Sequence, residues 1–99
     1  MSVKIKDPNA LLDYSIDWET EGYLLPGSPA EGVEESTWLI EPSTSPEELT
    51  IEENFLDGNI ASVTVAGGVA GHRYKLTNRI VTTEGREDDR SIIVRVENQ

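Results

Sequence analysis

The sequence lacks cysteine and contains only one histidine, His72. Without thiols the chain has no disulfide framework and no thiolate that could bind a metal or act as a nucleophile. Its unbroken apolar runs are only a few residues long, too short for a signal-peptide core or a membrane span. We therefore expect a soluble, unexported product with its natural start at Met1 and with no membrane partner.

Basic residues are missing from two thirds of the chain. The net charge is −11, and the segment from Asp7 to His72 holds fourteen acids and no base. All eight bases lie at Lys4 and Lys6 or between Arg73 and Arg95. An acidic middle repels phosphates, so we expect no nucleic-acid partner. It suits docking on a basic protein surface or head-to-tail self-association, and equally a solvated face that only maintains solubility.

The residues give no indication of catalysis. His72 stands between a glycine and an arginine where a strand is expected to begin, so we interpret it as an exposed or edge residue and not as a general base. The sequence has no nucleophile-elbow motif. Paired carboxylates such as Glu34-Glu35 carry little information in so acidic a chain. We expect a protein that is not an enzyme and has no cofactor and no small-molecule substrate.

Calcium binding is the chemical alternative that stays open. Glu87-Asp88-Asp89 in a loop, or Asp57 with Asn59, would offer hard oxygen ligands. The spacing matches no EF-hand loop, and the neighbouring Arg86 and Arg90 would compete for the carboxylates. Exposed ion pairs between these arginines and the same carboxylates are the structural alternative.

The last third of the chain has the clearest strand pattern. Alternate residues of a strand face opposite sides, and here one side is polar while the other is predicted to face the core. The residues predicted to face the core are Tyr74, Leu76, Ile80 and Thr82. The polar run from Thr83 to Asp89 contains Gly85 and predicts a loop, and the run from Arg90 to Val96 predicts the returning strand. Together these segments predict a long antiparallel hairpin.

Shorter patterns precede this hairpin. Alternation of apolar and polar residues predicts strands at Leu12 to Trp18, Thr37 to Ile40, Leu49 to Phe55 and Ile60 to Val65. An irregularity is expected near Asn54, because Leu49, Ile51 and Phe55 share an inner face only if Glu53 is the inner residue between them or if the strand bulges. Asp57-Gly58 predicts a tight hairpin turn.

Two other segments predict loops. Thr20 to Glu35 is rich in glycine, proline and glutamate, which indicates a long loop of the functional or mobile kind. Ser43 to Glu48 predicts a loop or a single helical turn, since serine can cap a helix and proline suits its first position.

About seven short strands without sustained helical periodicity predict an all-β fold, an immunoglobulin-like antiparallel β-sandwich. Tyr74, near the start of the penultimate strand, fits a tyrosine corner, and Trp18 or Trp38 would fill the core. A small barrel would use the same pattern. We divide the chain into an N-terminal arm at residues 1–9 and a single sandwich domain at residues 10–97.

Three regions are candidates for a protein interface: the arm, the long loop and the terminal hairpin. Their residues are Val3, Ile5, Tyr23, Leu24, Leu25, Arg86 and Ile93. The loop tripeptide has two interpretations, a patch that docks a partner and an anchor folded onto the core. An arm strand that adds to the edge of a neighbouring sheet is a common route to assembly.

The order of short motifs resembles a group of small tailed-phage structural proteins described as fibre-tail adaptor or neck proteins. None of the motifs is chemical, and they run in order over nearly the whole chain: Lys6-Asp7-Pro8-Asn9-Ala10, Leu12-Asp13-Tyr14, Asp17-Trp18, Ser36-Thr37-Trp38, Gly67-Gly68, Gly71, Tyr74, Thr77-Asn78-Arg79-Ile80, Thr82-Thr83, Gly85-Arg86 and Asp89-Arg90-Ser91. The sequence departs from the group between Gly22 and Val33, where the group has a shorter link with a Gly-Asp-Thr step.

The resemblance implies an immunoglobulin-like sandwich and a place in the virion, at the neck or tail, after synthesis in the host cytoplasm. It implies a protein that bridges the neck or tail to a fibre or head-tail joining protein, in several copies arranged in a ring. The alternative is an immunoglobulin-like cell-surface or carbohydrate-binding module. Against that alternative stand the missing export signal and the lack of an aromatic platform readable from the sequence.

Overall fold

The computed structural model describes residues 2–20, 24–27, 30–41 and 49–97 of the chain. Within these ranges the protein is all-β, and its seven strands form two sheets. The strands are β1 (Ser2–Lys6), β2 (Leu12–Asp17), β3 (Val33–Glu41), β4 (Thr50–Asp57), β5 (Ile60–Ala66), β6 (Arg73–Thr82) and β7 (Glu87–Val96). The prediction of an all-β fold with about seven strands is confirmed. None of the described residues belongs to a helix that is long and apolar enough to cross a membrane.

The sheets have four and three strands. The four-stranded sheet has the order β1-β7-β6-β3, and the three-stranded sheet has the order β2-β5-β4. β1 runs parallel to β7, whereas the other paired strands are antiparallel. Buried side chains from both sheets form one core, which gives the protein the architecture of a sandwich.

Alternation of side chains produces this core. In the central strand β5, Ala61, Val63 and Val65 are completely buried because every second residue of a strand points to the same face. Trp18, directly after β2, is also completely buried, and Trp38 of β3 is 6% exposed. Both tryptophans therefore fill the core, as the sequence predicts for at least one of them.

The turn before β6 is held by the predicted tyrosine corner. The main-chain N–H of Val69 donates to the hydroxyl of the buried Tyr74 at 3.0 Å. In the same turn Gly68 has a φ of +98°, and a Cβ there would lie 2.6 Å from a methyl carbon of Val96. Glycine is required at this position both for its backbone conformation and for the close approach of β7.

Two strands start earlier than the sequence predicts. β3 begins at Val33 and not at Thr37, and β7 begins at Glu87 and not at Arg90. The acidic start of β7 fits a strand because Asp89 faces Arg79 across the hairpin, with an ion pair of 2.9 Å. The polar segment predicted as a loop thus shrinks to the residues from Thr83 to Arg86.

The predicted irregularity in β4 is a register shift between Ile51 and Glu53. After this shift Leu56 packs against the core and Phe55 is 55% exposed. The strand pattern that placed Phe55 on the inner parity is wrong, because one extra residue reverses the faces of all residues that follow it. The helical turn considered for Ser43 to Glu48 lies outside the described residues.

Candidate protein-protein interface

The segment predicted as an N-terminal arm contains β1, which forms one edge of the four-stranded sheet. Val3 and Ile5 are 51% and 54% exposed, and both lie on the outer face of that sheet. Ile93 of β7 lies beside Val3 in register and is partly buried. Three of the candidate interface residues are therefore neighbours on one surface.

The free edge of β1 also exposes main-chain hydrogen-bonding groups. The carbonyl of Lys6 accepts a hydrogen bond from the N–H of Glu97 at 2.9 Å, so the main-chain groups of Lys6 point toward β7. Main-chain groups alternate in direction along a strand. Those of Val3 and Ile5 consequently point away from the sheet, where no other described strand is paired with β1. The edge can receive a further strand.

β1 is anchored to the fold by Lys6. This side chain is completely buried, and its Nζ donates to the carbonyl of Gly67 at 2.7 Å and to that of Asp7 at 2.9 Å. Burial lowers the pKa of the Lys6 ammonium, and the Asp7 carboxylate opposes this effect. The anchor holds the end of β1 in place while the preceding side chains remain accessible.

Basic side chains surround the apolar residues of β1. Register places Arg95 between Ile5 and Arg73, and it places Ile93 between Val3 and Lys75. All three bases are exposed; Arg95 pairs with Glu97 at 2.6 Å, and Glu41 of β3 is the register neighbour of Lys75. We call this surface the basic patch; its members are Val3, Ile5, Arg73, Lys75, Ile93 and Arg95. Such a patch suits a partner surface with apolar and acidic side chains.

The candidate loop residues do not lie together with β1. Leu24 packs against the core, whereas Leu25 is 52% exposed; Tyr23 lies outside the described residues. Leu25 lines a surface depression of about 310 Å³, with Pro26, Glu31 and other residues. Within the described part of this loop the anchor interpretation therefore fits Leu24, and the docking interpretation stays a prediction for Leu25.

Arg86 has a structural partner in this loop. Its guanidinium forms a two-pronged ion pair with Glu31, with Nε donating to Oε2 at 2.8 Å and Nη2 donating to Oε1. The same carboxylate accepts hydrogen bonds from the hydroxyl of Thr82 at 2.6 Å and the N–H of Leu25 at 2.9 Å. Glu31 itself is only 4% exposed. The pair joins the loop to the turn between β6 and β7.

The hydrogen bond from Arg86 lowers the pKa of Glu31 to about 2, and burial of the carboxyl group acts in the opposite direction. Glu31 is therefore ionised over the whole physiological range of pH. Sequence reasoning missed this residue, because one glutamate in an acidic loop carries no signal of its partner.

The acidic residues considered for calcium lie in a strand. Asp89 pairs with Arg79 at 2.9 Å, and Asp88 pairs with Arg90 at 2.9 Å, as the structural alternative predicts for Arg90. Over the described residues no group of three or more histidine, cysteine, aspartate or glutamate side chains could hold a metal ion. His72 is exposed, next to the ring of Tyr74.

Fold and surface together define a small β-sandwich whose candidate site is a sheet edge with apolar and basic side chains. A family model described as Podophage GP4 fiber-tail adaptor protein gp77 matches residues 6–95, and the chain belongs to this family. No curated protein matches the sequence. The resemblance seen in the short motifs is thereby confirmed.

Proposed function

We propose that the protein is a non-enzymatic adaptor that bridges the neck or tail of a podophage particle and a fibre or head-tail joining protein through protein-protein contacts. The observation that carries this proposal is the free edge of β1, at which Val3 and Ile5 offer both main-chain groups and exposed side chains. Membership of a fibre-tail adaptor family supports the assignment to the virion tail.

The mechanism we infer is rigid presentation of a strand edge. A partner segment would extend the four-stranded sheet beyond β1 by hydrogen bonds to the outward main-chain groups of Val3 and Ile5. Contacts of this size are weak singly, so several copies in a ring would add avidity. Leu25 and the depression beside it would supply a second contact. Synthesis in the host cytoplasm precedes incorporation.

We also infer an immunoglobulin-like sandwich. The partition of the strands supports it, with β2, β5 and β4 in one sheet and β3, β6 and β7 in the other. The tyrosine corner at Tyr74 supports it as well. The division into an arm at residues 1–9 and a domain at residues 10–97 stays a proposal, with the anchoring of Lys6 at the boundary between them.

Labelling of intact particles with an antibody against the protein, viewed by electron microscopy, tests the proposed location. We expect signal confined to the neck or upper tail. Absence of the protein from particles, with recognition by the antibody established on denatured virions, would remove the adaptor function.

A pair of variants then tests the role of β1. Val3→Asp with Ile5→Asp should reduce incorporation into particles, because charged groups on this surface exclude an apolar partner. Leu11→Asp is the control, since Leu11 is 64% exposed and lies outside β1, directly before β2. Equal incorporation of both variants, each with an unchanged thermal melt, would show that the β1 surface is not the contact.

A further inference from the structure

The outer face of the three-stranded sheet carries acidic charge only, whereas the outer face of the four-stranded sheet carries both signs, with its bases Arg73, Lys75 and Arg95 clustered near β1. The strands of the three-stranded sheet contain no base, whereas the basic patch lies on the outer face of the four-stranded sheet. The outer side chains of the three-stranded sheet include four exposed carboxylates around two exposed apolar residues. We call this surface the acidic face; its members are Asp13, Asp17, Glu53, Phe55, Asp57 and Ile60.

Strand register gives the acidic face its shape. Ile60 lies between Asp17 and Asp57, and four residues further along β5 a threonine lies between Asp13 and Glu53. With a strand separation of about 4.8 Å and a rise of about 3.4 Å per residue, the four carboxylates mark a rectangle of about 10 by 14 Å. Phe55, 55% exposed, stands between two of them on β4.

The basic patch has matching dimensions. Arg73 and Arg95 lie in register on adjacent strands, about 5 Å apart, and Lys75 is one row, or about 7 Å, further along β6. Val3 and Ile5 extend the patch to a third strand. Arg73 and Lys75, together with Arg95 and its ion-pair partner Glu97, thus fit within the rectangle of carboxylates on whose sides Phe55 and Ile60 lie.

We propose that the acidic face of one copy of this chain packs on the basic patch of a second copy. This inference rests on the proposed function, because it identifies the neighbour that covers the side chains of Val3 and Ile5 in the assembly. The two surfaces belong to opposite outer faces of the sandwich. Each copy can therefore contact two neighbours by the same head-to-tail contact, which generates a ring or a filament.

Charge complementarity favours a second copy as the occupant. With a net charge of −11, two copies repel one another in most orientations. The basic patch offers an attractive site, and the acidic face combines the required charge with apolar side chains that can pack on Val3 and Ile5. The contact uses outer side chains only, so the main-chain edge of β1 stays available to a fibre or joining protein.

Two charge-reversed variants test the contact, with sedimentation velocity at physiological salt and protein concentrations up to about 1 mM, a range that detects weak association. The first variant is Glu53→Lys with Asp57→Lys, on the acidic face. The second is Arg73→Glu with Lys75→Glu, in the basic patch. Glu34→Lys with Glu84→Lys is the control, because these exposed glutamates lie outside both surfaces and give the first variant's net charge.

We expect the wild type and the control to associate, and each reversed variant alone to associate at least tenfold more weakly. A mixture of the two reversed variants should regain association, because each supplies a surface that complements the other. The first variant is the sharper test: its net charge is closer to zero, so general repulsion alone would make it associate more strongly than the wild type.

The inference is overturned if the first variant associates as strongly as the wild type, or if neither the wild type nor the mixture associates at 1 mM. Thermal melts establish that each variant is folded; should the first variant be unfolded, Glu53→Gln with Asp57→Asn replaces it. Labelling of particles separates this result from the proposed function. If particles contain the protein and the contact between copies is absent, the adaptor function stays in place. If particles lack the protein, the adaptor function is removed, whether or not the copies associate in solution.

Discussion

The inner faces of the two sheets differ in their use of polar side chains. The completely buried residues of the three-stranded sheet are aliphatic, namely Ala61, Val63 and Val65. The four-stranded sheet completely buries Lys6, Asn78 and Thr82 beside its aliphatic residues. Each of these three polar side chains has a hydrogen-bond partner, which is the condition under which buried polar groups are tolerated.

The two inner faces therefore have different roles: the aliphatic face contributes burial of apolar surface, and the polar face specifies the register of the strands. An aliphatic face favours burial in any register that keeps its parity. A buried amide needs its partners at fixed positions: Asn78 accepts from the indole N–H of Trp18 at 2.8 Å and donates to the hydroxyl of Ser36 at 2.8 Å and to the carbonyl of Thr37. A shift of β6 against β3 would leave this amide unpaired, so the four-stranded sheet specifies the register.

The contact between the sheets depends most on Trp18. Trp18→Ala should lower the free energy of unfolding by about 3 to 5 kcal/mol, because it removes a completely buried aromatic side chain. The Arg90 guanidinium, 5.2 Å from the ring centroid, loses its aromatic partner as well. Urea denaturation measures the change. The control is Phe55→Ala, which is expected within about 0.5 kcal/mol of the wild type because Phe55 is largely exposed.

Asn78→Leu tests the polar inner face directly. We expect a loss of about 1 to 3 kcal/mol, because the N–H of Trp18 and the hydroxyl of Ser36 lose a buried partner. In a Trp18→Phe background the same substitution should cost less, since the indole N–H is already absent; denaturation of the four proteins of this cycle gives the coupling. Strictly additive losses would contradict the role assigned to this hydrogen bond. Asn54→Leu, at an exposed position in β4, is the control.

Glu31 adds a buried charge to this comparison. Its carboxylate contacts the four-stranded sheet by the hydrogen bond that it accepts from Thr82. Its pKa of about 2 lies below the ordinary value of 4.5, so its contribution to stability is complete above the ordinary value and is lost as the pH falls toward 2. Glu31→Gln should lower the melting temperature at neutral pH and flatten its decline in acid. Thermal melts over this range measure both effects.

The Arg79 hydrogen bond also lowers the pKa of Asp89, so this residue adds to the acid sensitivity. Asp89→Asn is the matched control, and its effect should be smaller because the pair with Arg79 is exposed. A larger flattening in Asp89→Asn than in Glu31→Gln would contradict the importance given to the Glu31 pair.

Tyr14 gives the smallest expected effect. It is the opposite of the paired polar groups above, because removing its hydroxyl should not destabilise the fold. Its hydroxyl is buried on the three-stranded sheet without a hydrogen-bond partner among the described residues, and burial raises the pKa of this hydroxyl. Tyr14→Phe should leave stability unchanged or raise it by up to about 1 kcal/mol. Tyr74→Phe is the control and should destabilise, because it deprives the N–H of Val69 of its acceptor. The rule is not strict, since the indole N–H of Trp38 on the four-stranded sheet also lacks a partner within the described part of the chain.

Strand periodicity predicted much of the fold because it depends on neighbours in the chain. The strand from Leu12, the hairpin turn at Asp57-Gly58 and the body of β6 all follow from local alternation and turn chemistry. Boundaries were harder to predict where polar residues continue a strand, as at the start of β7. There the exposed outer face accepts carboxylates, and a cross-strand arginine stabilises them.

The candidate surface was predictable only in part. The sequence indicated Val3, Ile5 and Ile93 as separate candidates, and the structure brings them side by side. The bases that flank them were visible as a charge asymmetry but not as neighbours of β1. The orientation of Phe55 was missed, because a single bulged residue reverses every face that follows and leaves no unique mark in the sequence.

By itself the sequence determined the all-β character, the long terminal hairpin, the acidic middle and the family, since these depend on local alternation, composition and the order of motifs. Only the tertiary structure decided that Glu31 meets Arg86, 55 residues away, and that β1 lies parallel to β7 with basic residues beside it. The physical reason is that sheet order and register join distant segments through main-chain hydrogen bonds. A period of two along the chain specifies the faces of a strand but not the strand that becomes its neighbour.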